Sequence, residues 1–159
     1  MPGRLIFAVV VLFMAAATVT PSHAQSGPFA GMAGVWSGAG TVTLDDGSTE
    51  RIRCRETAAV GAGGAGLNLT LTCASDSYKF DLSGNVVSDR GALSGSWSES
   101  SRGITGSLEG RGAGGSIQVV ANAAGFTASL SVATRGNRQS VAIRAENGFR
   151  GASIALSRR

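Results

Sequence analysis

Histidine is nearly missing from this sequence, and the one that occurs, His23, lies in a segment expected to be removed. Arg4 supplies a positive charge, Leu5–Ala17 is an apolar run without a charge, and Ser22-His23-Ala24 has the small-x-small form of a leader cleavage site. Residues 1–24 therefore read as a signal peptide cut before Gln25. The apolar run is shorter than the roughly 20 residues a membrane-spanning helix needs. Export to the periplasm or beyond is the expected destination. Without His23 no Ser-His-Asp arrangement can form, however plentiful the serines. A Ser–Lys pair would have to use Lys79, the only lysine, which sits between Tyr78 and Phe80 on the opposite, outward face of its strand. Zinc, copper and iron sites likewise lack their usual ligands. The expectation is a protein that is not an enzyme and carries no metal and no cofactor.

Aromatic residues are scarce too. Of Trp 2, Tyr 1 and Phe 6, two phenylalanines (Phe7 and Phe13) belong to the leader. A membrane barrel wants aromatic girdles at both interfaces, so a chain this poor in them is not expected to span a membrane. Cysteine occurs twice, as Cys54 and Cys73. In an exported chain two cysteines are most simply one disulfide. Loss of Arg4 with the leader lowers the basic count from 14 to 13 against 10 acids, leaving a modest positive charge.

What is abundant is glycine, 24 in all, and short alternating runs. After a lead-in over 25–33, expected to form a short helical turn, no helical periodicity appears. Candidate strands fall at 35–44, 49–60, 67–74, 77–88, 92–99, 104–110, 115–121, 125–133, 138–145 and 151–157, separated by Gly, Asn and Asp. That rhythm predicts an all-β domain over 34–159, an antiparallel up-and-down barrel of about ten (eight to ten) strands, with a β-sandwich as the alternative. Asp45-Asp46-Gly47 is read as a hairpin turn, since too few further oxygens follow at calcium-loop spacing.

Two-residue turns fix which residues face one another. A turn at Gly136-Asn137 sets Val132 against Val141 and Leu130 against Ile143, and one at Asn147-Gly148 sets Ile143 against Ala152 and Val141 against Ile154. A turn at Arg102-Gly103 would set Trp97 against Leu108. Apolar meets apolar each time, whereas a one-residue slip would oppose apolar to polar. With the glycine-rich segment 61–66 as a loop, Val60 faces Leu67 and Cys54 faces Cys73, at the roughly 4.5–5.5 Å between opposed Cα atoms that a disulfide can span.

The segment from Pro28 to Gly40 contains Gly34-x-Trp36-x-Gly38-x-Gly40 after Phe29 and Met32. It resembles the opening of calycin barrels, both the Gly-x-Trp of lipocalins and the longer pattern of nitrobindin-type ten-stranded barrels. The resemblance covers about thirteen residues. It implies that Trp36 packs at a closed end of the barrel, with Phe29 and Met32 plugging it. Nitrobindins hold haem iron through a histidine, which this chain lacks after the cut. Met32 or Tyr78 could ligate iron in principle, but nothing singles them out, so the resemblance carries the fold and not the haem.

Two candidate sites follow. Trp97, Leu108, Phe126, Leu130, Val141 and Ile143 would line a lumen able to hold a small apolar ligand, with Glu56 as a polar anchor on the face of Ile52 and Cys54. Glu99 shares the face of Trp97. Arg51, Arg53 and Arg55 alternate on the outward face, about 6.7 Å apart. Ala39, Thr41 and Thr43 are expected beside them on one side and Thr72, Ala74 and Asp76 on the other, so that only Arg51 meets an acid, Asp76. Such a stripe suits an anionic envelope component or a protein partner. Without interleaved aromatics, nucleic acid is not expected. The overall expectation is a monomeric exported binding protein, with an envelope interaction module or inhibitor as the alternative.

Overall fold

The computed structural model describes residues 27–159. The leader, its cut before Gln25 and the first two residues of the lead-in lie outside the described residues. Ten antiparallel strands follow in order: β1 (Gly34–Thr43), β2 (Thr49–Val60), β3 (Gly66–Ala74), β4 (Lys79–Asp89), β5 (Ala92–Glu99), β6 (Ile104–Ala113), β7 (Ser116–Ala123), β8 (Phe126–Arg135), β9 (Arg138–Ala145) and β10 (Gly151–Arg158). Each pairs with the next in sequence, and β1 pairs with β10, closing the sheet into an up-and-down barrel. Closure leaves no sheet edge open to pairing with other chains.

Alternation decides the faces. On β2, Ile52, Cys54, Glu56 and Ala58 are buried inward, while Arg51, Arg53, Arg55 and Thr57 are exposed. On β9, Gln139, Val141 and Ile143 point in, between exposed Arg138, Ser140, Ala142 and Arg144. The pairings Val132–Val141, Leu130–Ile143, Ile143–Ala152 and Val141–Ile154 are as the turns require. So is Cys54–Cys73, which forms a disulfide across Cα atoms 4.2 Å apart.

Three expectations are corrected. Trp97 pairs with Gly106, not Leu108, whose partner is Gly95. The connection is the four-residue loop 100–103, because the Glu99 carboxylate accepts the backbone N–H of Ser101 and of Arg102 and holds a wider turn open. The slip is by two, so Trp97 and Leu108 still share the inner face. The β1–β2 loop is also longer than assumed: Arg51, Arg53 and Arg55 lie opposite Thr41, Ala39 and Ser37, without Thr43. Among the described residues Arg51 forms no ion pair with Asp76; the β2–β3 ladder ends at Arg53–Ala74. The lead-in makes two i to i+3 turns, Gly27–Ala30 and Phe29–Met32.

That lead-in closes one end. Phe29, Met32 and Trp36 are at most 1 % exposed. The Trp36 indole Nε1 donates to Met32 O at 2.9 Å. Arg158, from the last strand, stacks its guanidinium 4.2 Å over the Trp36 ring and donates to the carbonyls of Ala33 and Gly31. The glycines of the opening pattern have distinct reasons. Gly34, at φ +135°, leaves the space that Arg158 Nη1 fills, 2.6 Å from where a Cβ would sit. Gly38 and Gly40 let β1 approach β10 so closely that a Cβ would lie 1.9 and 2.0 Å from the carbonyl oxygens of Ala155 and Ser153. Gly40→Ala is therefore expected to cost about 1–3 kcal/mol through forced backbone displacement. Gly84→Ala, mid-strand with nothing within 4 Å, should change stability by less than about 0.5 kcal/mol. Urea midpoints followed by tryptophan fluorescence compare the two.

Candidate functional site

The inward side chains do not fill the barrel. They enclose a cavity of about 300 Å³ that runs to the end opposite the plug, where loops 100–103, 124–125 and 146–150 contribute to its rim. Leu67, Leu69 and Leu71 of β3, Trp97 of β5, Leu108 of β6, Ile117 and Val119 of β7 and Leu130 of β8 form much of its wall. The seven side chains expected there, Trp97, Leu108, Phe126, Leu130, Val141, Ile143 and Glu56, all line it. Trp97 spends its indole N–H on the backbone carbonyls of Ser107 and Asn122, 3.1 and 3.3 Å away, and packs 5.5 Å from Phe126. It thus presents only apolar surface to the cavity.

The mouth is aromatic. Tyr78, Phe80 and Phe149 form an aromatic cluster with centroids 5.6–6.2 Å apart. Arg102 lies 4.6 Å over the Tyr78 ring. Burial pushes the Tyr78 phenol up, partly offset by that guanidinium. Phe149 follows the Asn147-Gly148 turn, and the only sequence signal for it is an aromatic in an otherwise polar connection.

The two inward carboxylates have opposite environments. Burial would raise Glu99, but it accepts hydrogen bonds from the N–H of Asp81 at 2.9 Å, from the N–H and hydroxyl of Ser101, and from Arg102, and these hold it below the usual range. Glu99 is engaged in shaping its loop. Glu56 is deeper, between Trp36 of β1 and Leu71 of β3, and is 1 % exposed. Its Oε1 meets no donor among the described residues. Burial drives its pKa up to about 7, with a hydrogen bond from the Gln139 side chain pulling the other way. Gln139 itself donates to Thr134 Oγ1 at 3.1 Å.

Outside, Arg51, Arg53 and Arg55 stand exposed and carry no acidic partner among the described residues. Arg159 joins them, donating through Nε to Ser37 Oγ at 2.6 Å, directly across from Arg55. Lys79 is exposed and paired with Asp81 at 3.1 Å. Asp46 serves its turn, accepting from the N–H and hydroxyl of Ser48.

Among the described residues no group of three or more His, Cys, Asp or Glu side chains is placed to hold a metal. Haem does not fit the donors present. Residues 27–159 contain no histidine, Met32 is sealed in the plug, and the Tyr78 ring is covered by Arg102.

No family model and no curated protein matches the chain. Among solved structures it is similar to the crystal structure of Rv2717c from M. tuberculosis, with a TM-score of 0.59 and 16 % identity over 80 % of this chain and 92 % of that one. It is similar also to the S-type phycobiliprotein lyase CPES from Guillardia theta, with a TM-score of 0.53 and 9 % identity over 80 % and 88 % of the two chains. At these identities the likeness carries the fold alone.

Proposed function

We propose that this chain is an exported, non-enzymatic binding protein that holds a small apolar molecule in its barrel lumen. The observation that carries the reading is the open apolar cavity of about 300 Å³ beneath an aromatic mouth. An engineered apolar cavity of about 150 Å³ takes up benzene, and ligand pockets begin near 300 Å³, so the lumen suits an occupant the size of a bicyclic ring or a medium alkyl chain. Export is supported by the leader-like N-terminus and by the Cys54–Cys73 disulfide, which is consistent with an oxidising compartment. Apolar-in and polar-out faces are the reverse of a membrane-inserted barrel, which supports a protein that does not span a membrane. A second reading, favoured by the four exposed arginines, is contact of that face with an anionic envelope component.

Native mass spectrometry of protein purified from its own host is expected to show a retained small-molecule mass, and purified protein is expected to take up the apolar fluorophore N-phenylnaphthylamine with quenching of Trp97. A bare-chain mass together with no fluorophore uptake would overturn the reading. For the arginine face, binding to phosphatidylglycerol vesicles should vanish when Arg51, Arg53 and Arg55 are all changed to Ala; binding that survives removes the stripe from consideration.

A further inference from the structure

Half of the barrel's outer wall carries no acid. On β8, β9, β10, β1 and β2, consecutive strands of the closed sheet, the outward positions hold only Arg, Ser, Thr, Ala, Gly and Val35. The outward acids of the strands, Asp81, Asp89 and Glu109, stand on β4 and β6. Glu50 occupies an inward position of β2 and accepts from the hydroxyls of Ser75 and Ser77.

Six arginines lie on this wall as one track. Arg135 pairs with Arg138, Arg138 with Ser157, Ser157 with Ser37 and Ser37 with Arg55 along a single rung of the sheet. Arg159 fills the space between, with its Nε on Ser37 Oγ at 2.6 Å. From Arg55 the track turns along β2 to Arg53 and Arg51. Strands lie about 4.8 Å apart and alternate residues about 6.7 Å, so no step along the track exceeds about 10 Å. Over that distance exposed charges still act together at ordinary salt. All six are exposed, and none has an acidic partner among the described residues.

Two properties decide what such a track fits. It spans four of the ten strand intervals, so a plane laid against the wall meets one part of it and leaves the rest, whereas a flexible linear chain can follow it. No aromatic stands at an outward position of these strands, so nucleic-acid bases have nothing to stack on. Hydroxyls do line the route: Ser37 and Ser157 on the rung itself, Thr72 beside Arg55 and Thr41 beside Arg51.

We propose that this wall binds a linear acidic polysaccharide, its carboxylates on the arginine forks and its hydroxyls on the serines and threonines between them. This rests on the reading of the arginine face as a partner surface and is independent of the lumen.

The test titrates protein into a fluorescein-labelled alginate decamer, a polyuronate, and follows anisotropy. Saturable binding is expected at about 50 mM salt, weakened more than about tenfold at about 200 mM as the paired charges are screened. Arg135→Ala with Arg138→Ala, and separately Arg51→Ala with Arg53→Ala, strip the two ends of the track and should each raise Kd about tenfold. Arg90→Asn with Arg111→Ala removes the same charge from the other half of the barrel and should change Kd less than about twofold. All these side chains are exposed, so the fold is kept. Equal losses in the three variants would mean attraction to net charge alone and overturn the track. Tighter binding of decathymidylate than of alginate, or binding confined to phosphatidylglycerol vesicles, overturns the polysaccharide and leaves the arginine face as a partner surface. Failure of all three probes to bind overturns both.

Discussion

Replacing Glu56 by glutamine is expected to raise stability at pH 8 by about 3 kcal/mol and to flatten the pH dependence between pH 5 and 8. Burial lifts the Glu56 carboxyl from 4.5 to about 7 in the folded chain. Between those values the folded chain holds a proton that the unfolded chain has released, so folding is favoured by keeping Glu56 neutral. That contribution is complete below pH 4.5 and is lost as pH rises through 7. Glutamine keeps the size and cannot ionise, so the loss disappears. The lowered carboxylates act elsewhere and in the opposite sense. Glu99, Asp46, Glu50 and Asp81 favour folding while ionised, and their contributions fade only as pH falls below the ordinary carboxylate range. The unaltered protein should therefore be most stable near pH 5, and the variant should keep that stability to pH 8. Urea unfolding of both at pH 5 and pH 8 checks this. Parallel pH slopes would show that Glu56 is not the buried acid described here.

Removing the Cys54–Cys73 bridge, as Cys54→Ala with Cys73→Ala, is expected to cost about 3 kcal/mol. The bridge closes a loop with a sequence separation of 19, and that loop contains the segment Gly61–Gly66, whose glycines leave the unfolded chain unusually free. A long glycine-rich connection also specifies register weakly, and on β2 and β3 a slip of one would turn Ile52, Leu67 and Leu71 outward. The disulfide holds the register that the loop does not. Unfolding in urea should show a lower midpoint, and amide exchange in β2 and β3 should accelerate more than in β8 and β9, whose short turn needs no such help. A change below about 1 kcal/mol would show that the remaining nine strand pairings hold β2 and β3 in place unaided.

How much of this could be read from the chain depends on where the determining contacts lie. Inward and outward faces follow from a period of two, so Val132, Val141, Ile143 and Ile154 were placed correctly from their turns alone. The pairing of Trp97 failed because a side chain two residues along, Glu99, shapes the loop through three donors, and no dipeptide rule contains that information. The lumen walls were legible for the same reason the faces were. The mouth was not, since Tyr78 and Phe149 meet only when β4 and the β9–β10 loop come together in the closed barrel. Arg158 was also missed: a basic residue near a chain end reads as solvated charge, and only closure of β1 on β10 brings it over Trp36.

The plug also settles how the barrel can be displayed. The lead-in from Gly27 and the end of β10 at Arg158 both lie at the sealed end, where Arg159 N–H donates to Val35 O at 2.9 Å. A surface that bound this sealed end would thus hold the molecule by its base. The cup would face away from its support, open to whatever diffuses past.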